Sequence, residues 1–213
     1  MFCNLHDIQW NFRTALILGS IIFSPVAFAA PIPSQDSKTV INLSGMENAT
    51  IDYSLETVTS AIISTNGMNR IEVLNTGIIT TTGQEAYGIS NKGSLNETNV
   101  SGRIKTGSSY SHGVSNKGSN NKTVISGRVF TTGDRIAFGV WNYGSSNQIT
   151  VSNEGWISTS GLGSYGIENR GSNNNTTIAG AISTTGKFSY GIINIGSGNK
   201  TTVSGSISTT GVG

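Results

Sequence analysis

Acid–base work on a polymer needs titratable side chains that converge on one spot. Beyond residue 90 the acids are Glu97, Asp134, Glu154 and Glu168. None shares a repeat position with another acid, so no acidic pair forms and no catalytic residue is nominated. His112 is the only histidine after His6, and Cys3 is the only cysteine. A Ser-His-Asp arrangement could use only His112 in the body of the chain. His112 aligns with Tyr87 and Phe138 in the repeats, which reads as a packed ring rather than a base. Basic residues are the more suggestive group. Between residues 90 and 135 seven of them (Lys92, Arg103, Lys105, Lys117, Lys122, Arg128, Arg135) face two acids. Lys92, Lys117 and Arg170 share one repeat position, filled by Tyr143 and Ile195 elsewhere. Arg103 and Arg128 share another, where Trp156 aligns. Stacked, Lys92, Arg103, Lys117 and Arg128 form a candidate glycan-contacting surface able to attract sulfated or phosphorylated sugars. The plainer alternative is a solvated face that keeps strand edges apart.

What positions these residues follows from composition. The chain has 213 residues, of which 28 are Gly, 30 Ser, 25 Thr and 22 Asn. Only 11% are charged, the net charge is +2, and proline occurs three times. Disordered chains combine low hydrophobicity with high charge and proline, which is a poor match. Gly, Ser, Thr and Asn are weak helix formers, so long helices are excluded too. An all-β chain rich in turns remains.

The chain repeats itself. An aromatic-Gly-Ile/Val motif places its glycine at 88, 113, 139, 166 and 191, in steps of 25, 26, 27 and 25. Asn-x-Gly-Ser follows at Asn91, Asn116, Asn142, Asn169 and Asn194 with the same steps. Thr-Thr-Gly or a variant closes each copy. Four apolar rows come into register: Tyr87 to Tyr190, Ile89 to Ile192, Val100 to Val203, and Ile104 to Ile207. Apolar residues alternate with polar ones within runs of three to five, the period of a strand with one buried face. Gly-Ser, Ser-Gly and Thr-Gly separate the runs as turns.

A unit of about 25 residues cannot bury its own apolar face, but stacked units can. The expected fold is all-β, a right-handed parallel β-helix (β-solenoid) with three short strands per coil, spaced ~4.8 Å apart. The four rows fill its interior. The asparagines form an amide ladder, as in stacked in-register strands. The glycines two residues after them are expected at positive φ. Two extra residues before Ile157, within Asn153-Glu154-Gly155-Trp156, fall in a turn. Residues 62–213 carry the repeats, and residues 30–61 form an N-terminal cap or degenerate coil. Within that cap Thr39 to Gly45 reads as a strand and turn, and Ser54 to Ser60 as a short helix or another strand.

Residues 1–29 read as a signal peptide. Arg13 precedes the apolar run Ala15 to Phe23, and Ala27-Phe28-Ala29 has the small-x-small form of a cleavage site, placing the cut after Ala29. The run is shorter than the roughly 20 apolar residues a spanning helix needs. Cleavage removes Cys3 and His6. Disulfides, Cys-based zinc sites and multi-His metal sites are then excluded, and no cofactor is called for. Export and small net charge argue against nucleic acid as a partner. A flat hydroxyl array (Ser183, Thr185, Ser208, Thr210) could suit ice, but Lys105 and Phe130 interrupt its row.

Tyr165-Gly166-Ile167, Asn169-Arg170-Gly171-Ser172 and Ala181-Ile182-Ser183-Thr184-Thr185-Gly186, with their copies, make the chain resemble the passenger region of bacterial autotransporter (type V secretion) proteins. The resemblance covers residues 62–213 and the signal. It implies export across the inner membrane of a Gram-negative cell, display on the outer membrane or secretion, and adhesion to a host-cell or bacterial surface glycan or protein. It supplies no catalytic residue. It also implies a C-terminal membrane β-barrel of about ten-residue alternating strands. None occurs, and Gly211-Val212-Gly213 stops where another aromatic-Gly motif is due. The expectation is therefore a truncated chain or fragment, periplasmic if unanchored, with possible self-association at its open end. The rival expectation is a secreted glycan-active β-helix enzyme.

Overall fold

A computed structural model describes residues 40–211. The expected signal peptide and its cleavage site lie outside the described residues.

Every described element is a strand of three or four residues. Such short runs follow from the sequence, because a turn-forming Gly, Ser or Asn arrives every few residues. The strands fall into three sheets, each of seven parallel strands among the described residues. Each coil contributes one strand to each sheet. The first sheet runs from Ile41–Leu43 to Ile192–Ile195, the second from Asn48–Ile51 to Lys200–Val203, and the third from Ser54–Thr57 to Ser206–Thr209. The molecule is thus a β-solenoid of about seven coils. Residues 41–57 supply three strands paired in register with those of the following coil. Ser54–Thr57 is a strand, which settles the choice between strand and helix there.

Register is exact along each expected row. Ile104, Val129, Ile157, Ile182 and Ile207 are successive partners in the third sheet. Val100, Ile125, Val151, Ile178 and Val203 are partners in the second. All are fully buried except Val203 and Ile207, which are 45% and 40% exposed in the last described coil. Stripping water from these side chains drives the coiling, at about 25 cal/mol per Å² of apolar surface.

One row departs from expectation. Tyr87, His112, Phe138, Tyr165 and Tyr190 do not join the main core cluster; they form a separate stack beside it, in which His112 and Phe138 are still buried. The cause is the glycine after each ring. A Cβ on Gly88, Gly113, Gly139, Gly166 or Gly191 would lie 2.2–2.4 Å from a γ-carbon of the third-sheet row. The chain therefore passes tight against the core at this corner, and the rings are displaced outward.

The interior also holds polar ladders. Asn91, Asn116, Asn142, Asn169 and Asn194 bond Nδ2 to Oδ1 from coil to coil at 2.7–2.8 Å, which is the expected amide ladder. Most also donate to a threonine across the coil, as Asn116 does to Thr123 Oγ1 at 3.1 Å. A second asparagine row, five residues on, was not foreseen. Backbone N–H groups of Asn69, Asn96, Asn121, Asn147 and Asn174 donate to the Oδ1 of the next coil's asparagine at 2.8–3.0 Å. Inward threonines close the third-sheet corner: Thr81, Thr106, Thr131 and Thr159 donate to main-chain carbonyls five or six residues on. Buried polar groups cost free energy unless paired. These rows pair most of them coil by coil, but Asn91 Oδ1 and the Nδ2 groups of Asn121, Asn147 and Asn174 are left without partners among the described residues.

The glycines of Asn-x-Gly-Ser mostly depart from the expected positive φ. Only Gly171 and Gly196 adopt positive φ, at 141° and 122°; Gly93, Gly118 and Gly144 do not. Close approach explains them instead. A Cβ on Gly118 would stand 2.1 Å from the Gly93 carbonyl oxygen of the coil beneath.

Candidate functional site

The outward row of the first sheet is Ser90, Ser115, Trp141, Glu168 and Ile193. On one side stands the displaced ring row. On the other are Lys92, Lys117, Tyr143, Arg170 and Ile195, one residue past the asparagine ladder.

The rings form a shelf because the coils stack. Tyr87–His112, His112–Phe138 and Phe138–Tyr165 lie 5.1, 4.8 and 4.9 Å apart with interplanar angles of 10°, 13° and 6°. Those distances match the spacing between neighbouring strands. Trp141 leans on His112 at 4.8 Å and Tyr143 on Trp141 at 5.4 Å. The Lys117 ammonium sits 5.4 Å from the Tyr87 ring centre and 5.5 Å from that of Trp141, a cation shared between two π faces. The result is a ledge on which Trp141, Tyr143 and the long cations face outward over a ring stack whose His112 and Phe138 are buried.

His112 is a built-in part of this shelf. It is 4% exposed, and its Nδ1 accepts the Phe138 backbone N–H at 3.0 Å. Burial above all, with the Lys117 charge adding to it, lowers its pKa to about 3. The ring is neutral and carries its proton on Nε2. The folded pKa lies below the unfolded one, so the associated stability is complete above pH 6.5 and is lost as pH falls from there toward 3. One proton is worth up to about 1.4 kcal/mol per pH unit. Urea unfolding at pH 7.5 and 4.5 is expected to show His112→Phe losing about 2 kcal/mol less than the parent. Equal losses in the two chains would refute this role for His112.

Glu168 is the one carboxylate in the outward row and is only 2% exposed. Its Oε1 accepts from Arg170 Nε at 2.9 Å. Burial lifts its pKa above the usual carboxylate range, and the Arg170 partner pulls it partly back. Burial also raises the phenols of Tyr87 and Tyr165.

The four basic residues nominated from sequence do not form one stripe. Lys92 and Lys117 flank the first-sheet shelf, whereas Arg103 and Arg128 begin strands of the third sheet and pair in register. A second-sheet strand and two turns separate the pairs. Arg103 lies 5.6 Å from the Phe130 ring centre and Arg128 5.6 Å from that of Trp156. This second pair sits in a depression of about 330 Å³ whose lining includes Asn75 and Glu154. Both stand in turns two residues longer than those of the coils between. Lys122 is spoken for: it and Arg70 both hold Glu97, at 3.1 and 3.5 Å.

No protein-family model matches the chain, and no curated protein or solved structure matches it either. What the surface can do therefore rests on its own chemistry. Among the described residues no group of three or more His, Cys, Asp or Glu is placed to hold a metal ion. From sequence Tyr143 and Arg170 stood only as members of the Lys92 column, and neither Trp141 nor the pairing of Glu168 with Arg170 was anticipated. The signal for them was present: each occupies a repeat position filled by serine or lysine in other copies. The Asn75 turn was not anticipated either, although Val73 and Ile79 are six residues apart where most coils have four, as are Val151 and Ile157.

Proposed function

We propose that this chain is an exported, passenger-like β-solenoid that binds glycans at a cell surface, working by adhesion rather than turnover. The observation that carries this is the outer side of the shelf, where Trp141 and the exposed Tyr143 stand with Lys117 over the stacked rings. Sugar rings present C–H faces that pack on aromatic faces, and cations attract their sulfate or carboxylate groups. A repeating rod offers such contacts at one period over its length, which suits a repeating polymer. The signal-like pattern of residues 1–29 and the passenger-like repeats favour placement outside the inner membrane, on the outer membrane or in the medium.

The purified chain is expected to bind on an array of sulfated, carboxylated and neutral oligosaccharides. Trp141→Ala should weaken binding about tenfold or more, the loss typical of a central aromatic anchor. Lys92→Gln with Lys117→Gln, and Arg103→Gln with Arg128→Gln, should each flatten the salt dependence of whichever face is engaged. An array left blank by the parent chain would sink the adhesive reading, and Trp141→Ala binding like the parent would remove the Trp141 shelf from it. Cleavage of an arrayed oligosaccharide would replace it with the enzyme. Expression in a bacterial host is expected to yield a product starting at Ala30; a cytoplasmic product retaining Met1 would contradict export.

A further inference from the structure

A notch interrupts the corner just before the ring row. The residue two before each ring is Glu85, Tyr110, Ile136, Gly163 and Phe188 in successive coils, all at φ between 47° and 63°. Hydrogen bonds hold this column in register: Ile136 N–H donates to Leu162 O at 3.0 Å and Gly163 N–H to Lys187 O at 2.9 Å. Four members carry a long side chain, and Gly163 carries none. A Cβ placed there would meet only Ile136 Cγ1, at 4.0 Å. The gap is a cleft of about 400 Å³, at the low end of ligand-pocket sizes (about 300–1,000 Å³). Ile136 and Phe188, 39% and 53% exposed, line it as well. Phe138 and Tyr165, stacked within 6° of parallel, also line it.

The cleft is charged as well as aromatic. Arg135, Arg170 and Glu168 all reach it. Glu168 is satisfied by the Nε of Arg170, which leaves the terminal nitrogens of that guanidinium to other acceptors. Arg135 forms no ion pair among the described residues. Two guanidiniums against one buried carboxylate leave one positive charge without a partner. An apolar gap between Ile136 and Phe188, with guanidiniums at its margin, suits a ring-sized ligand bearing a single anion.

We infer that the notch at Gly163 is a binding site for one sugar residue carrying a single carboxylate or sulfate, its body between the exposed side chains of Ile136 and Phe188 and its anion toward Arg135 and Arg170. The inference rests on the proposed glycan-binding role and adds to it a place and a ligand class. The shelf around Trp141 and Lys117 would hold neighbouring residues of the same chain.

The test titrates the full chain with three labelled probes: a hyaluronan hexasaccharide, its carboxyl-reduced counterpart, and a sulfated, uronate-free keratan oligosaccharide. The anionic probes are expected to bind at least tenfold tighter than the reduced one, and their order tells carboxylate from sulfate. Gly163→Phe should abolish binding while lowering the melting midpoint by only several degrees, the cost of a left-handed conformation that four other coils already bear. Arg135→Ala, at an exposed position, should remove the preference for the anionic probes even if Gly163→Phe folds poorly. Equal binding of the reduced probe, a folded Gly163→Phe chain that binds like the parent, or no binding of any probe would overturn the notch. If Gly163→Phe keeps binding while Trp141→Ala loses it, the shelf stands and the notch falls. Loss in Gly163→Phe alone places the whole site in the notch.

Discussion

A Gly139→Ala chain is expected to lose about 3 kcal/mol or more of folding stability, the upper range for overpacking a tight core. The added methyl would sit 2.2 Å from Ile157 Cγ2 and 2.6 Å from the Gly166 carbonyl oxygen. Ile157 is fully buried and held in register with Val129 and Ile182, so it has nowhere to go. The Gly166 carbonyl accepts the Val140 N–H at 3.0 Å, so moving it breaks the ladder as well. Gly163→Ala is the control. Its methyl meets open space, and the cost is the roughly 1–2 kcal/mol of a left-handed conformation. Urea unfolding of the two variants should rank them in that order. Similar midpoints would mean that the corner yields more readily than its packing implies.

Asn116→Ala is expected to cost about 3–5 kcal/mol. The side chain accepts from Asn91 Nδ2 at 2.8 Å and donates to Asn142 Oδ1 at 2.7 Å and to Thr123 Oγ1 at 3.1 Å. Removing it leaves Asn142 Oδ1 buried without its donor, and an orphaned buried group costs about 1–3 kcal/mol before the cavity is counted. Asn194→Ala removes a member of the same row in an exposed setting, where water replaces the lost partners. Its cost should be about 1 kcal/mol or less. Thermal unfolding of both variants checks the contrast, and equal shifts would show that burial does not set the worth of the ladder.

The coil was legible because stacking imposes one period on everything. Ile104, Val129 and Ile157 could be placed on one row from spacing alone, and the asparagine ladder with them. Parity failed at the corner. Tyr87 and Ile89 are two apart and would share a face in a straight strand, but the chain bends at Gly88 and the strand begins at Ile89. Alternation does not survive a bend, so the rings left the main core. The second asparagine row keeps the same steps as the first, yet its role in binding backbone N–H groups depends on turn geometry that composition does not reveal. Lys117 and Arg128 looked like parts of one stripe because both recur. Two corners of the coil lie between them, and recurrence says which residues stack, not which columns are neighbours. The notch was hidden for a related reason. A missing side chain becomes visible only once its column is known, and that column is held by backbone pairing between Arg135 and Leu162 as much as by any motif.

Partners in every sheet are separated by one repeat along the chain, 21 to 28 residues, wherever in the rod they lie. The loop to be closed when a coil joins its neighbour therefore has nearly constant length, and its entropic cost varies only with the logarithm of that length. Duplication or loss of one whole repeat by slippage in the gene would lengthen or shorten the molecule by a single strand spacing while preserving every contact elsewhere. Reach, and the number of sugar-facing columns, can thus drift in discrete steps at little risk to folding.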